Sequence, residues 1–297
     1  VAVSAQAGEM AVTGSANVTY VTGKDANTGK AIGTDKDVAF TGTGELDNGW
    51  TFTVSTLLTD AYDVSSSYTS LTMGSLGTVS FGTDTGGANY KYDEEVPQAY
   101  EQMSDAQQTT ANRVGTIHDS NMIVYNSPSF DLGGVTASFD LEYSPGANSS
   151  GVNDGGSATQ DDNFGSATGA GVTLSYDALK FGIYGAEIER TAEGNTEISD
   201  AFEGAWYVNY SFGPVSIGYT ESYMDGGANG AVEAADAAKD AATDNTRTAN
   251  GFFEGEQVSI AFNVNENFSV SYTESEETYD SQDNAPTAVA DVTQKVE

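Results

Sequence analysis

The sequence predicts an all-β chain, folded as a transmembrane antiparallel up-and-down β-barrel. Three observations carry that prediction: a pervasive two-residue hydrophobic period, an alternation of short and long connections, and a composition too polar for a large dry core. Hydrophobic residues make up 38% of the 297, below the usual globular share. A barrel with an apolar outer band and an aqueous interior needs fewer of them. No run approaches about 18 consecutive apolar residues, so the sequence offers no transmembrane helix. A closed barrel can still span a bilayer, because its backbone groups pair between strands.

The chain begins VAVSAQA, and Ala5-Gln6-Ala7 has the small-x-small form of a signal-peptidase site. Residues 1–7 read as the residual tail of a signal peptide, and 8–297 as a single β-barrel domain. Strand alternation starts at once. Met10, Val12, Gly14, Ala16, Val18 and Tyr20 share one face, with Ala11, Thr13, Ser15, Asn17 and Thr19 on the other. Phe52 and Val54 alternate with Thr51, Thr53 and Ser55; Val135, Ala137, Phe139, Leu141 and Tyr143 alternate with Thr136, Ser138, Asp140 and Glu142. Trp206, Val208, Tyr210 and Phe212, then Val215, Ile217 and Tyr219, continue the series, and Val258 to Val264 and Phe268 to Tyr272 close it. The predicted strands are 10–21, 36–46, 50–59, 66–74, 77–83, 121–127, 134–144, 170–177, 179–190, 201–212, 214–223, 255–264 and 267–277, with another beginning near Val292.

Short turns fall at Asp47-Asn48-Gly49, Gly74 to Gly77, Asp177-Ala178, Gly213-Pro214 and Asn265-Glu266-Asn267, residue types that tight hairpins require. Between them lie long polar stretches at about 22–35, 84–120, 145–169, 191–199, 225–254 and 279–290. A membrane barrel keeps its short turns at one rim and its long loops at the other. Thirteen strands and the start of a fourteenth cannot close an antiparallel barrel of this class, since open edges are not tolerated in hydrocarbon; the sequence therefore reads as a C-terminally incomplete piece. Asp154, Asp161 and Asp162 lack the spacing of a calcium loop, and Ala231 to Thr243 is alanine-rich enough for a short external helix.

The stretch Asn121-Met122-Ile123-Val124-Tyr125-Asn126-Ser127-Pro128 resembles the strand that follows the constriction loop in Gram-negative general porins. Gly77 to Gly82, GTVSFG, resembles that family's fifth strand, which leads into its third external loop. The resemblance implies a trimeric barrel of about sixteen strands, an inward-folding loop at about 84–120, and residence in the bacterial outer membrane among its lipid and lipopolysaccharide. Departures are visible. Val124 stands where relatives often carry a basic residue, and no basic ladder lines the hydroxyl faces Thr13, Ser15, Asn17, Thr41, Thr43, Thr51, Thr53 and Ser55. Val96-Pro97-Gln98 is a loose echo of the family's loop motif, and the family's terminal aromatic residue is missing at Lys295-Val296-Glu297.

Charge sharpens the functional reading. A net charge of −34, with ten Lys and Arg scattered along the chain, excludes a nucleic-acid partner, whose phosphates demand a basic surface. Loop 84–120 carries Asp93, Glu94, Glu95, Glu101, Asp105 and Arg113, the expected pore constriction, and Asp140, Glu142 and Glu221 are expected on the lumen wall. Carboxylate rings in a pore favour cations. The expected activity is passive diffusion of small hydrophilic solutes with a cation preference. The alternative is a secreted acidic surface or adhesin-type β protein without a channel. Catalysis has little to work with: the one histidine, His118, sits beside Asp119 and Ser120 outside any nucleophile motif. The sequence carries no cofactor signature, and the missing cysteines exclude thiolate metal sites.

Overall fold

A computed structural model describes residues 8–20, 32–59, 64–82, 87–99, 114, 121–146, 164–190, 197–198, 200–225, 228–229, 252–280 and 292–296. Its strands are β1 Glu9–Tyr20, β2 Ile32–Glu45, β3 Thr51–Leu58, β4 Val64–Thr72, β5 Thr78–Gly82, β6 Met122–Asn126, β7 Phe130–Asp131, β8 Thr136–Ser144, β9 Phe164–Tyr176, β10 Leu179–Arg190, β11 Glu197–Ile198, β12 Ala201–Phe212, β13 Val215–Asp225, β14 Ala228–Asn229, β15 Phe252–Asn265, β16 Phe268–Asp280 and β17 Val292–Val296. Fourteen of them form one antiparallel ribbon in sequence order, with β1 and β17 at its ends; β7 extends the edge of β8, and β11 pairs β14 apart from it. Where β2 meets β3, β9 meets β10, β12 meets β13 and β15 meets β16, the connecting residues are too few for any crossover, so those strands must pair as hairpins.

The turns show why the strands reverse where they do. Gly213, at φ +58, opens the β12–β13 turn ahead of Pro214, a backbone region that side chains disfavour. Gly77, at φ +90, also admits the neighbouring strand: a Cβ there would stand 2.4 Å from the Asn126 carbonyl oxygen. Asn48 Oδ1 accepts from the Trp50 amide at 3.1 Å, closing the β2–β3 turn.

Register assigns every side chain to one of two faces. On one, Ile217 opposes Ile260, which opposes Tyr272, and Val215 opposes Phe262, which opposes Val270. All but the half-buried Val215 are exposed despite being apolar, as a band facing lipid must be. The other face carries Thr13, Ser15, Thr41, Thr53, Ser55, Asp140, Thr173, Thr220 and Ser259. Thr41 and Ser55 hydroxyls bond across strands at 3.3 Å. The hydroxyl face expected from the first three strands is the face observed.

Strand edges differ from expectation in one consistent way. Strands β2, β9 and β15 begin at Ile32, Phe164 and Phe252, inside stretches that read as polar loops. Pairing continues there because an antiparallel ladder needs only backbone groups, and hydrophilic side chains suit it once it leaves the apolar band. The signal-peptide tail at 1–7, the aspartates Asp154, Asp161 and Asp162, and the alanine-rich stretch lie outside the described residues.

Candidate functional site

Segment 87–99 is the feature around which the polar face is built. It starts as a 3-10 turn, Ala88–Lys91, and then runs across the polar face of successive strands instead of away from them. The Ala88 amide donates to Glu142 Oε2 at 2.6 Å. Lys91 Nζ pairs with Asp140 Oδ1 at 2.5 Å, and the Tyr92 hydroxyl donates to Asp140 Oδ2 at 2.9 Å. Further along, Lys180 of β10 holds Glu95 at 2.6 Å and Asn209 of β12 donates to the Glu95 carbonyl at 3.0 Å. Gln257 of β15 donates to Glu94, Ser259 to the Pro97 carbonyl, and the Ala99 amide donates to Ser271 of β16 at 2.9 Å. One strip of chain thus touches the polar face from β8 to β16.

The strip lies flat because the wall beneath it lacks side chains at the right places. A Cβ on Gly171 would come within 2.4 Å of the Tyr92 ring, one on Gly182 within 2.2 Å of Tyr207, and one on Gly218 within 2.3 Å of Pro97. Tyr92 stacks on Tyr184 with centroids 5.4 Å apart and tilts against Tyr207 at 6.2 Å. These three rings are buried with Met122, Val124 and Ile188, so the apolar core of the molecule sits between segment and wall. Burial raises the Tyr92 phenol well above its ordinary value, and the neighbouring Asp140 adds to the rise. Glu94 adopts φ +46, a strained value for a residue with a side chain, where its carboxylate meets Gln257.

Six of the nine expected site residues fall among the described residues. Asp140 and Glu142 stand on the polar face, nearly enclosed. Asp140 accepts from Lys91, Tyr92 and, at 2.6 Å, Asn126; Glu142 accepts from Ala88 and Tyr184. Glu94 is buried and Glu95 ion-paired, while Asp93, just before them, is half-buried. Glu101, Asp105, Arg113 and His118 lie outside the described residues.

Glu221 requires correction. It pairs in register with Trp206 and Glu256, on the apolar face, not the polar one. The reason is parity: Tyr207 and Thr220 take the inner positions of that pair, so their neighbours point the other way. Glu221 accepts there from Trp206 Nε1 at 2.9 Å, from Tyr219 at 2.5 Å and from Tyr223. It stands one row beyond Tyr219, in register with Glu256 and Glu276 where the apolar band ends, the level at which amphipathic rings collect in membrane barrels.

Sequence reasoning missed Lys180, Tyr184, Tyr207, Asn209 and Gln257. The strand period does place all of them on the polar face, and Gly169, Gly171 and Gly182 mark the smooth strip nearby. What partner they meet depends on a segment distant in sequence.

A single antiparallel ribbon with an apolar outer face and a polar face crossed by its own loop defines a membrane β-barrel protein. The chain belongs to the Gram-negative porin family, whose model matches residues 1–295, and it is a protein of the bacterial outer membrane. No curated protein matches it in sequence. Among solved structures it is similar to Salmonella typhi OmpF, in a complex with daunomycin, at 12% identity and a TM-score of 0.54, covering 96% of this chain and 83% of that one. It is also similar to the trimer form of in-vitro folded OmpT of Vibrio cholerae, at 13% identity and a TM-score of 0.46, covering 97% and 93%.

Proposed function

We propose that this porin is a passive diffusion channel for small hydrophilic solutes, preferring cations, with segment 87–99 as its constriction. The observation that carries the proposal is the path of that segment across the polar face from β8 to β16. A strip occupying that side of a barrel interior directs solutes along the inner faces of β1 to β6, where Thr, Ser and Asn side chains exchange hydrogen bonds with water and solute alike. Asp35 and Asp37 stand on this open side in register with Asn17 and Ser15. Glu203 and Glu277 add inner carboxylates on the far wall, against Lys180 and Lys91, which are each engaged by a carboxylate. Low-dielectric walls focus the resulting negative potential, which favours cations. Asp140, Glu142, Glu94 and Glu95 serve mainly to anchor the segment.

The apolar face supports a homotrimer. Rings Tyr143, Tyr176, Trp206, Tyr210, Tyr219 and Tyr272 gather on β8 to β16, suited to lipid and lipopolysaccharide headgroups. The same face of β1 to β4 sets among its apolar residues Gly14, Ala16 and Gly42, and a hydroxyl pair, Thr56 and Ser67, at 3.5 Å. Small residues permit close approach and hydroxyls are costly against hydrocarbon, so neighbouring copies are suited to cover β1 to β4.

Reversal potentials across bilayers under a KCl gradient test the selectivity. A potential displaced toward that of K+ is expected, and one displaced toward Cl− overturns the cation preference. A monodisperse, detergent-free protein without conductance would instead favour the adhesin-type reading.

A further inference from the structure

A cavity of about 470 Å³ opens between the start of segment 87–99 and the wall formed by β4, β5 and β6. It is lined by Ser66, Tyr68, Ser80, Asn126, Tyr90 and Lys91, and its volume lies within the range of small-molecule sites. Three features give it a chemical character. Its hydroxyls both donate and accept hydrogen bonds. Its ammonium is offset, because Lys91 pairs with Asp140 at 2.5 Å, and the Asn126 amide donates to the same carboxylate at 2.6 Å. Lastly, Tyr90 is 68% exposed, on a turn whose first two members, Ala88 and Asn89, are buried. The turn is held while the ring stands in the open.

A phenol ring beside an array of hydroxyls, without net charge, suits a solute whose rim carries hydroxyls and whose faces carry C–H groups. An inorganic cation meets Lys91 here, and an anion meets Asp140. We propose that this cavity is a binding subsite for a neutral polyhydroxylated solute of mono- or disaccharide size. The rings of Tyr90 and Tyr68 pack on its C–H faces and Ser66 and Ser80 exchange hydrogen bonds with its hydroxyls. The inference rests on the channel reading and deepens it by naming a solute class.

The test is ion current through the full chain in planar bilayers with glucose or sucrose added, using polyethylene glycol of matched hydrodynamic size as the control. Each variant is normalised to its own sugar-free current. The current is expected to fall saturably with sugar and only in proportion to viscosity and volume with the polymer. Tyr90→Ala should raise the half-saturating sugar concentration about tenfold, as expected for losing a ring contact, and Tyr90→Phe should keep it within about twofold. Ser80→Ala, which leaves the turn untouched, should raise it about threefold by removing one hydrogen-bonding group. A conducting protein whose sugar response is linear and equal to the polymer's, or is unchanged in both Tyr90→Ala and Ser80→Ala, overturns the subsite and leaves the channel standing. A protein that conducts no ions at all overturns both.

Discussion

Asp140 satisfies three donors at once, from Lys91, Tyr92 and Asn126, and so joins loop to wall at a nearly enclosed point. Removing the acceptor leaves the Tyr92 hydroxyl buried without it, a cost of about 1–3 kcal/mol. Asp140→Ala should therefore lower the temperature at which the folded form converts to the slower-migrating unfolded form on gels; an unchanged midpoint would show that the carboxylate does not anchor the segment. Tyr92 sets a pH window for the same contact. Its phenol is raised by burial and by Asp140, so the folded state holds its proton more tightly than the unfolded chain does. Its contribution to stability is therefore complete below about pH 10, the ordinary tyrosine value, and is lost only as pH rises into the folded-state titration. Wild-type stability should decline above that point by a component that Tyr92→Phe lacks, and identical alkaline limbs in the two proteins would refute it.

At the scale of elements, β9 and segment 87–99 depend on one another through missing side chains. Gly171 lies under the Tyr92 ring with no room for a Cβ, while Ala170, its neighbour, faces the opposite side with Leu141. Gly171→Leu should displace the segment from the wall and alter single-channel conductance and its noise. Ala170→Leu should leave both near wild type, because it adds apolar surface to a lipid-facing position. Equal effects would mean that the faces are misassigned. Strands were legible in the sequence for the same reason that this contrast can be drawn: with a period of two, a polar and an apolar solvent imprint alternate residues. Turns were legible because Asn48-Gly49 and Gly213-Pro214 allow few other conformations. The outer ends of β2, β9 and β15 were not, since beyond the bilayer no apolar band marks them. Nor were Lys180, Tyr184 and Gln257 legible as anchors, because their partners lie roughly eighty residues or more away for Lys180 and Gln257 and forty-two away for Tyr184.

For the whole molecule, the division of charge between faces governs what the barrel conducts. Asp37 is on the inner face, in register with Ser15, and Glu221 is on the outer one beside Trp206. Charge reversal separates them: Asp37→Lys should lower the cation-to-anion permeability ratio by about twofold, while Glu221→Lys should scarcely change it, being screened from the lumen by the wall. Instead Glu221→Lys should weaken membrane assembly, since it breaks the acceptor shared by Trp206, Tyr219 and Tyr223. Permeability ratios from reversal potentials and folded yield in vesicles measure the two effects. A large selectivity change in Glu221→Lys would place that carboxylate inside after all.

By itself the sequence determined the antiparallel ribbon, its hairpins, its two faces and its family, because each is written in near neighbours whose spacing answers to lipid on one side and polar groups on the other. The outward face of Glu221 was already written in its parity with Ile217 and Tyr219, whereas only the tertiary structure decided where segment 87–99 lies and which carboxylates it consumes as anchors. Those outcomes depend on contacts between strands far apart in the chain, where a single step of register sends a side chain to the opposite solvent.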